Sequence, residues 1–252
     1  MFFLIRHGER GDEGSPEEEA KVQIEADVHL TEIGHQQAYQ TGQELSRLFT
    51  KLKEDNKIDQ DAELCFVSSP MYRCLQTTKM LIMGAEHHPK NGTLYIESGI
   101  EEYFNSVCKG IDETWKEKVQ FYNLDKYPQF VEEVLTKYPY KHNTLFDYEN
   151  RQDLNTKFGE NVEAAFQRFQ AVFDNVGDLY NKNPGFNPRK TVFVLCSHGL
   201  SMMVIYHCLF GKELFGNYGY CNINLFELKK ENEDDDHYKV DVKIENLQAF
   251  DI

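Results

Sequence analysis

The sequence is poor in positive charge and has no long apolar run. Its 252 residues include 27 Lys and Arg against 42 Asp and Glu, which gives a formal net charge of −15. Nucleic acids and anionic membranes are bound through basic surfaces, so we expect neither as a partner. The sequence contains no run of about 18 apolar residues, the length of a membrane-spanning helix, and no secretory leader. We therefore expect a cytoplasmic protein.

The six cysteines lack the close spacing that metal sites and redox motifs use. No two of them are separated by only two residues, and most lie in apolar runs. Such thiols are typical of a reducing compartment, where they stay free and buried. We therefore expect neither zinc binding nor catalysis by the cysteines, which are Cys65, Cys74, Cys108, Cys196, Cys208 and Cys221.

The sequence does contain two apolar runs that each lead to a His-Gly pair. Residues 2–6 precede His7, and Thr191–Leu195 lie shortly before His198. Short apolar runs of this kind are typical of buried strands in a parallel sheet, and ligands bind at the carboxyl ends of such strands. We therefore expect both imidazoles at one sheet edge. Arg6, next to the first histidine, indicates an anionic ligand, in the first place a phosphate.

Strand-like and helix-like segments alternate along the chain. This order predicts an α/β fold over residues 1–252, with a three-layer, doubly wound, mostly parallel sheet, helices on both faces and antiparallel strands near the C terminus. The predicted strands are residues 2–6, Leu64–Val67, Leu94–Ile96, Thr191–Leu195, Ile223–Leu228 and Tyr238–Ile244. The predicted helices run from Thr31 to about Lys53, from Ser69-Pro70 onward, over Glu160–Asn181 and over Gly199–Leu209. In the first helix, the residues expected to face the core are Ile33, Ala38, Leu45, Leu48 and Leu52, with Phe49 beside them.

Residues 103–158 carry many aromatic residues among charges and short helical stretches. We expect an insertion, or cap, that folds over the carboxyl edge of the sheet. Its aromatic side chains either form a satellite core or, in two or three cases, line a substrate pocket. Residues 8–28 predict a mobile surface loop, and the charge run Lys229–Asp236 predicts a solvated hairpin loop. The aromatic residues are Tyr103, Phe104, Trp115, Phe121, Tyr122, Tyr127, Phe130, Tyr138, Tyr140, Phe146 and Tyr148.

Charged side chains follow four of the predicted strands. In chain order they are Arg6, His7 and Arg10 after the first, Arg73 in the helical turn after the second, Glu101 and Glu102 after the third, and His198 after the fourth. Phosphoryl transfer through a histidine needs such a set, because arginines neutralise the phosphoryl oxygens, one imidazole attacks phosphorus, and a carboxylic acid protonates the departing oxygen. A zinc site of His7, His198 and a carboxylate is the alternative, but two arginines would repel the metal. We expect no metal and no cofactor.

Four motifs stand in order along the chain: Arg6-His7-Gly8, Leu30-Thr31 with Gly34, Ser69-Pro70 with Arg73, and His198-Gly199. Together they resemble the histidine phosphatase superfamily, in its phosphoglycerate-mutase-like branch, over residues 3 to about 210. The resemblance implies that His7 is the nucleophile and becomes phosphohistidine. It also implies that Arg6, Arg73 and a protonated His198 bind the phosphoryl group.

The general acid follows from a second, more local resemblance. The stretch Gly99-Ile100-Glu101-Glu102-Tyr103 is similar to the Gly-Leu-x-Glu-Trp stretch of the suppressor-of-T-cell-receptor-signalling and ecdysteroid-phosphate phosphatases. This similarity implies that Glu102 is the general acid and base. The adjacent Glu101 is the alternative.

The residues after the first motif distinguish between the reactions of this family. Mutases usually carry a serine and an asparagine where this chain has Arg10, Gly11 and Asp12, whereas Arg-His-Gly-Glu-Arg-x-Asp resembles the phosphatases. The resemblance therefore implies a metal-independent phosphomonoester hydrolase that acts on a phosphorylated small molecule or a phosphopeptide. Phosphoglycerate-mutase-type transfer and a non-catalytic scaffold or assembly subunit are the alternatives.

Two further points stay open from the sequence. Arg10 either adds a third cationic contact to the phosphate or pairs with acidic residues of the 12–19 segment. The C-terminal strands could pair across a homodimer.

Overall fold

The fold of the computed structural model is organised around one sheet. The structure describes residues 1–102, 112–127, 130, 132, 135, 138–146, 157–183, 185–199, 202–203, 218–229 and 239–249. The strands are β1 (Phe2–Arg6), β2 (Glu63–Ser68), β3 (Leu94–Ile96), β4 (Tyr140–His142), β5 (Thr191–Ser197), β6 (Ile223–Lys229) and β7 (Lys239–Leu247). Their order across the sheet is β4-β3-β2-β5-β1-β6-β7. The first five strands in this order are parallel, while β6 pairs antiparallel with β1 and β7, as predicted.

Helices cover both faces of the sheet because the central strands are apolar on both. Phe3 and Ile5 of β1 pack in one core with Leu45, whereas Phe2 and Leu4 pack in a second core with side chains such as Phe169. The alternation of side chains along a strand separates these two cores and confirms the three-layer arrangement. The helices are α1 (Pro16–Glu19), α2 (Glu32–Glu54), α3 (Tyr72–Ala85), α4 (Trp115–Lys118) and α5 (Val162–Lys182). The first core lies against α2 and α3, and the second lies against α5.

The helix α2 begins as predicted, but its buried stripe differs at one residue. Thr31 is the N-cap, and its Oγ1 accepts a hydrogen bond from Gly34 N. Ile33 is 44% exposed, so the prediction that it faces the core is wrong. At about 100° per residue, Ile33 lies off the stripe whose centre passes through Gly34 and Ala38. The other predicted core residues are buried, namely Ala38, Leu45, Leu48, Phe49 and Leu52.

The polar segment 8–28 is more ordered than a mobile surface loop. It contains a 3-10 turn at Gly11–Glu13 and the short α1, and it ends in residues that are buried. One of these, Asp27, accepts hydrogen bonds from Tyr72 N (2.7 Å) and from Gln120 N (2.8 Å). Its carboxylate therefore ties this segment both to the start of α3 and to the insertion. The surface-loop prediction is wrong at this end because a buried carboxylate needs such partners.

The insertion contributes a strand to the sheet as well as helices. The strand β4 pairs in parallel with β3 at the sheet edge. It escaped prediction because it is only three residues long and its sequence, Tyr-Lys-His, shows no apolar alternation. The side chains of Trp115, Phe121 and Phe130 join the first core, so the insertion's aromatic packing is continuous with the main core. Tyr103, Phe104 and Tyr148 lie outside the described residues.

Other predictions are tested only in part. Gly199, Met202 and Met203 are helical, but the rest of the helix predicted over 199–209 and most of the charge run 229–236 lie outside the described residues. Cys65, Cys74, Cys196 and Cys221 are free and buried as predicted, whereas Cys108 and Cys208 are not described. Among the described helices, none combines the length and apolar character that crossing a membrane requires.

The buried carboxylate of Asp27 predicts a pH-dependent contribution to stability. Burial raises its pKa to about 6 from 3.8, in spite of the two backbone hydrogen bonds. A carboxyl group whose pKa is higher in the folded protein than in the unfolded chain stabilises the fold at low pH. This stabilisation is complete below the pKa of the unfolded chain and is lost as the pH rises through the pKa of the folded protein. We expect the unfolding free energy of wild type minus that of Asp27→Asn to fall by about 2 kcal/mol between about pH 4 and pH 7.

Denaturant unfolding at several pH values measures this difference. The same substitution at the exposed Asp125 controls for the exchange of Asp for Asn as such. A difference between wild type and Asp27→Asn that does not change with pH, or that rises with pH, would contradict the raised pKa of Asp27.

Candidate active site

The ends of β1, β2, β3 and β5 meet at one edge of the sheet. In register, Arg6 lies beside Ser197, and Ser68 lies beside both Cys196 and Ile96. The residues that follow these strands are therefore neighbours. The rings of His7 and His198 have centroids 5.4 Å apart, which agrees with the predicted convergence of the two imidazoles.

The ring of His7 is buried in one tautomer. Its Nδ1 lies 2.8 Å from the Gly8 carbonyl oxygen, which can only accept, so Nδ1 carries the proton and Nε2 keeps its lone pair. Burial, followed by the charges of Arg73 and Arg6, holds the pKa of His7 well below 6.5. A neutral imidazole with an available lone pair is the form that can act as a nucleophile.

Close backbone contact explains two of the motif glycines. A Cβ on Gly8 would lie 2.5 Å from Gly34 O, and a Cβ on Gly34 would lie 2.4 Å from Glu9 O. The hydroxyl of Thr31 adds a hydrogen bond to Glu9 Oε1 at 2.8 Å. The first turn of α2 thus packs directly on the backbone after His7 and fixes the direction of that ring.

His198 sits between a donor and an acceptor. Its Nδ1 lies 3.1 Å from Arg73 Nη2, and its Nε2 lies 2.9 Å from Ser69 Oγ. Because a guanidinium only donates, Nδ1 accepts and the proton of the neutral ring is on Nε2. Burial, reinforced by Arg73, holds the pKa of His198 well below 6.5. This runs against the expected protonated His198, an expectation that depended on phosphate oxygens next to the ring.

The two adjacent glutamates point in different directions. Glu102 Oε2 lies 3.3 Å from His198 Nδ1 and 3.4 Å from Arg73 Nη2. Glu101 instead accepts a hydrogen bond from the hydroxyl of Tyr122 in the insertion. Geometry therefore brings Glu102, and not Glu101, into the cluster with the histidine.

Arg6 and Arg73 each have an N–H donor at the site that binds no described group. Arg73 lies in the first turn of α3, as predicted, although this helix begins at Tyr72 and not at Ser69-Pro70. Arg6 donates to the Tyr218 carbonyl and lies 4.1 Å from the ring centroid of Tyr220. Within the described part of the chain, Nε of Arg6 and Nε of Arg73 are buried without a hydrogen-bond partner. Buried, unpaired guanidinium donors favour an oxyanion ligand.

The side chain of Arg10 is paired with the acidic segment that follows it. Its Nε and Nη2 donate to the two carboxylate oxygens of Asp12 at 2.8 and 2.5 Å, and Glu13 lies 3.8 Å away. The sequence left two roles open for Arg10, a contact to phosphate and an ion pair with the 12–19 segment. The structure contains the ion pair. Its charge still lies close enough to lower the pKa of both His7 and His198. Direct contact with a substrate stays a prediction.

A metal ion is the alternative occupant of this cluster. One ligand atom each of His7, Glu102 and His198 lies within 4.8 Å of the others. However, Arg73 Nη2 lies 3.4 Å or less from the Glu102 oxygen and the His198 nitrogen, so a metal cation there would meet a guanidinium. This set of charges fits an oxyanion better than a cation.

Three residues near the site carried no signal in the sequence. Tyr218 and Tyr220 contact Arg6 but belong to no motif, and Arg168 of α5 donates to the backbone carbonyls of Glu101 and Glu102. Arginines in amphipathic helices usually lie on the surface, so the sequence did not mark Arg168 as buried.

A cavity of about 820 Å³ lies beside the site, against the first turn of α3 and the insertion. Tyr72, the chain neighbour of Arg73, forms part of its wall, but none of the predicted site residues does. Its lining is mostly polar and aromatic, and comprises Glu18, Lys21, Gln23, Ile24, Asp27, Val28, His29, Leu30, Glu32, His35, Tyr72, Gln76, Gln120, Tyr127 and Phe130. Among the described residues of the insertion, Tyr127 and Phe130 are the aromatics that line this pocket.

Residues 2–130 match the family model of the histidine phosphatase superfamily (branch 1). A structure titled Mycobacterial hydrolase 1 is similar at 14% identity, with a TM-score of 0.57 and 98% of each chain covered. The ecdysone phosphate phosphatase of Bombix mori, in complex with tungstate, shares 17% identity over 90% of this chain and 88% of its own, with a TM-score of 0.55. A mycobacterial glucosyl-3-phosphoglycerate phosphatase bound to VO3 shares 15% identity over 97% of this chain and 98% of its own, with a TM-score of 0.55. No curated protein matches the sequence.

The unpaired arginine donors predict that inorganic phosphate binds and stabilises the protein. At a concentration 100-fold above its Kd, a ligand of the folded state adds about 2.7 kcal/mol to the unfolding free energy. We expect Arg73→Met to lose most of this gain, whereas Arg47→Met, at an exposed ion pair of α2, keeps it. Unfolding at increasing phosphate concentrations measures the effect. An equal response of the two variants would exclude Arg73 from the anion site.

Proposed function

The chain belongs to the histidine phosphatase superfamily, branch 1, and on this basis we propose that it hydrolyses phosphomonoesters through a phosphohistidine on His7. One observation carries the proposal: ligand atoms of His7, His198 and Glu102 lie within 4.8 Å of one another, beside arginine donors that have no partner among the described residues. That spacing allows one phosphoryl group to contact a nucleophile, an acid and its cationic anchors at the same time.

In the first step His7 Nε2 attacks phosphorus in line with the ester oxygen. The P–N bond forms while the P–O bond to the alcohol breaks, and Glu102 gives its proton to the departing oxygen. Arg6, Arg73 and His198 bind the three non-bridging oxygens, where negative charge is spread in the transition state. The bound anion also raises the pKa of His198, so that both of its nitrogens can donate.

In the second step water attacks the phosphohistidine. The Glu102 carboxylate takes a proton from the water as the new P–O bond forms and the P–N bond breaks, which restores neutral His7 and releases inorganic phosphate. No metal or cofactor takes part in either step.

The cavity beside the site accommodates the rest of the substrate. Its lining includes Glu18, Asp27 and Glu32 against a single Lys21, together with aromatic side chains. This charge favours a phosphorylated small molecule or phosphopeptide whose remaining part is not strongly anionic. Direct phosphate contact by Arg10 would add to the binding of the phosphoryl group.

Hydrolysis of p-nitrophenyl phosphate in EDTA, from about pH 5 to pH 8, tests the proposal. We expect turnover by wild type and by His88→Ala, an exposed histidine, and a loss of at least about 10³-fold for His7→Ala. Because the pKa of His7 in the free enzyme is held well below 6.5, protonation of the nucleophile should lower kcat/KM only at a more acidic pH than it would for an ordinary histidine.

Other outcomes of this assay point to the alternatives. Loss of activity in EDTA would support the metal site. No turnover by wild type, with phosphate binding intact, would favour either a scaffold or a mutase, and transfer between the positions of a phosphoglycerate would then separate these two.

The role of Glu102 predicts a dependence on the leaving group. A phenolate, with a pKa of about 10, needs protonation, while p-nitrophenolate needs little. We expect Glu102→Gln to lower kcat/KM for phenyl phosphate by about 10²-fold or more, and that for p-nitrophenyl phosphate much less. Glu101→Gln, at the carboxylate that accepts a hydrogen bond from Tyr122, is the matched control. An equal decrease on both substrates would exclude Glu102 as the acid.

A further inference from the structure

Arg168 is a fully buried arginine in the middle of α5. Its side chain is 1% exposed, although burying a guanidinium is costly unless its charge and its donors are satisfied. The carboxylate of Glu160 provides the charge partner, with Nη2 to Oε1 at 2.5 Å and Nε to Oε2 at 3.2 Å. The pair is bidentate, which fixes the plane of the guanidinium.

The remaining donors all point to one short segment of backbone. Nη1 donates to the carbonyl oxygens of Gly99 (2.8 Å) and Glu101 (3.2 Å), and Nη2 donates to that of Glu102 (3.3 Å). With the two bonds to Glu160, all five N–H groups of the guanidinium are used. Only an arginine supplies five donors in this fixed fork.

This segment has little regular structure to hold it. A 3-10 turn at Ser98–Ile100 ends directly before Glu101, whose backbone is extended. Of the four consecutive carbonyls from 99 to 102, Arg168 binds three, and Ser197 Oγ binds that of Ile100 at 2.8 Å. A side chain from another layer of the fold therefore holds the backbone at Glu102.

We propose that Arg168, held by Glu160, is a positioning residue that fixes Glu102 against His198 and Arg73. This inference rests on the proposed function, in which Glu102 is the acid and base. Glu102 Oε2 lies 3.3 Å from His198 Nδ1 and 3.4 Å from Arg73 Nη2, and a small shift of the backbone would break both contacts. Displacement of a catalytic group by about 1 Å can lower the rate about 10²-fold. Arg168 itself does not touch the reacting atoms.

Arg168→Lys is the first test, because it keeps the charge but cannot bind Glu160 and three carbonyls together. We expect kcat/KM for phenyl phosphate to fall about 10-fold or more, with a much smaller fall for p-nitrophenyl phosphate. In a Glu102→Gln background, Arg168→Lys should change neither value further, since its effect passes through Glu102. Equal loss on both substrates, or full additivity with Glu102→Gln, would overturn the proposal.

The double variant Arg168→Met/Glu160→Met covers the case in which the lysine variant fails to fold. Removing both partners of a buried ion pair is often neutral for stability. We expect this protein to show the same leaving-group dependence as Arg168→Lys. Normal phenyl phosphate hydrolysis by the folded double variant would again overturn the role of Arg168.

A readout without turnover separates this proposal from the proposed function. Amide hydrogen exchange of the peptide containing residues 97–102 should become faster in Arg168→Lys, while exchange in β1 and β5 stays as in wild type. If wild type hydrolyses no phosphoester but this local change is seen, the proposed function fails and the positioning of Glu102 stands. Unchanged exchange at residues 97–102 would overturn the positioning role itself.

Discussion

The site depends on placing two arginines beside a pair of buried histidines at one edge of the sheet. Arg6 and Arg73 lie beside two buried imidazoles, and Glu102 is the carboxylate that contacts Arg73 and His198. Burial, reinforced by this excess of positive charge, lowers the pKa of both histidines and favours their neutral forms. It also leaves guanidinium donors that an oxyanion can satisfy. The protein as a whole carries −15, so these arginines are local cations on a chain whose net charge repels anions.

Those parts of the fold and the site that have local signals could be predicted from the sequence. The apolar runs before His7 and His198 gave the central strands, and the capping residue Thr31 gave the start of α2. Ile33 and Gly34 show the limit of this approach. Hydrophobicity favoured burial of the isoleucine, but the residue in contact with the backbone after His7 is the glycine, where a Cβ would collide with Glu9.

What the sequence did not predict depends on tertiary contacts. The strand β4 exists because β3 offers an edge with which three residues can pair, and Asp27 is buried because two backbone donors from distant elements meet it. The adjacent Glu101 and Glu102 could not be distinguished by composition, since only the folded insertion supplies Tyr122 as a separate partner for Glu101. Motifs at strand ends thus identify the side chains that meet at this sheet edge, and long-range packing decides their orientation.

The same distinction explains why the arginine of α5 was missed and why it matters. Arg168 lies 66 residues after Glu102 along the chain, and nothing in the helical pattern marks it as buried. A buried ion pair contributes little net stability, because desolvation offsets most of the Coulombic attraction. The geometry of the Arg168–Glu160 pair is instead specific, since the fork fits one arrangement of the carbonyls before and at Glu102. In the proposed mechanism Glu102 must reach a departing oxygen from a segment with little regular structure, and that role requires this kind of specificity from the surrounding fold.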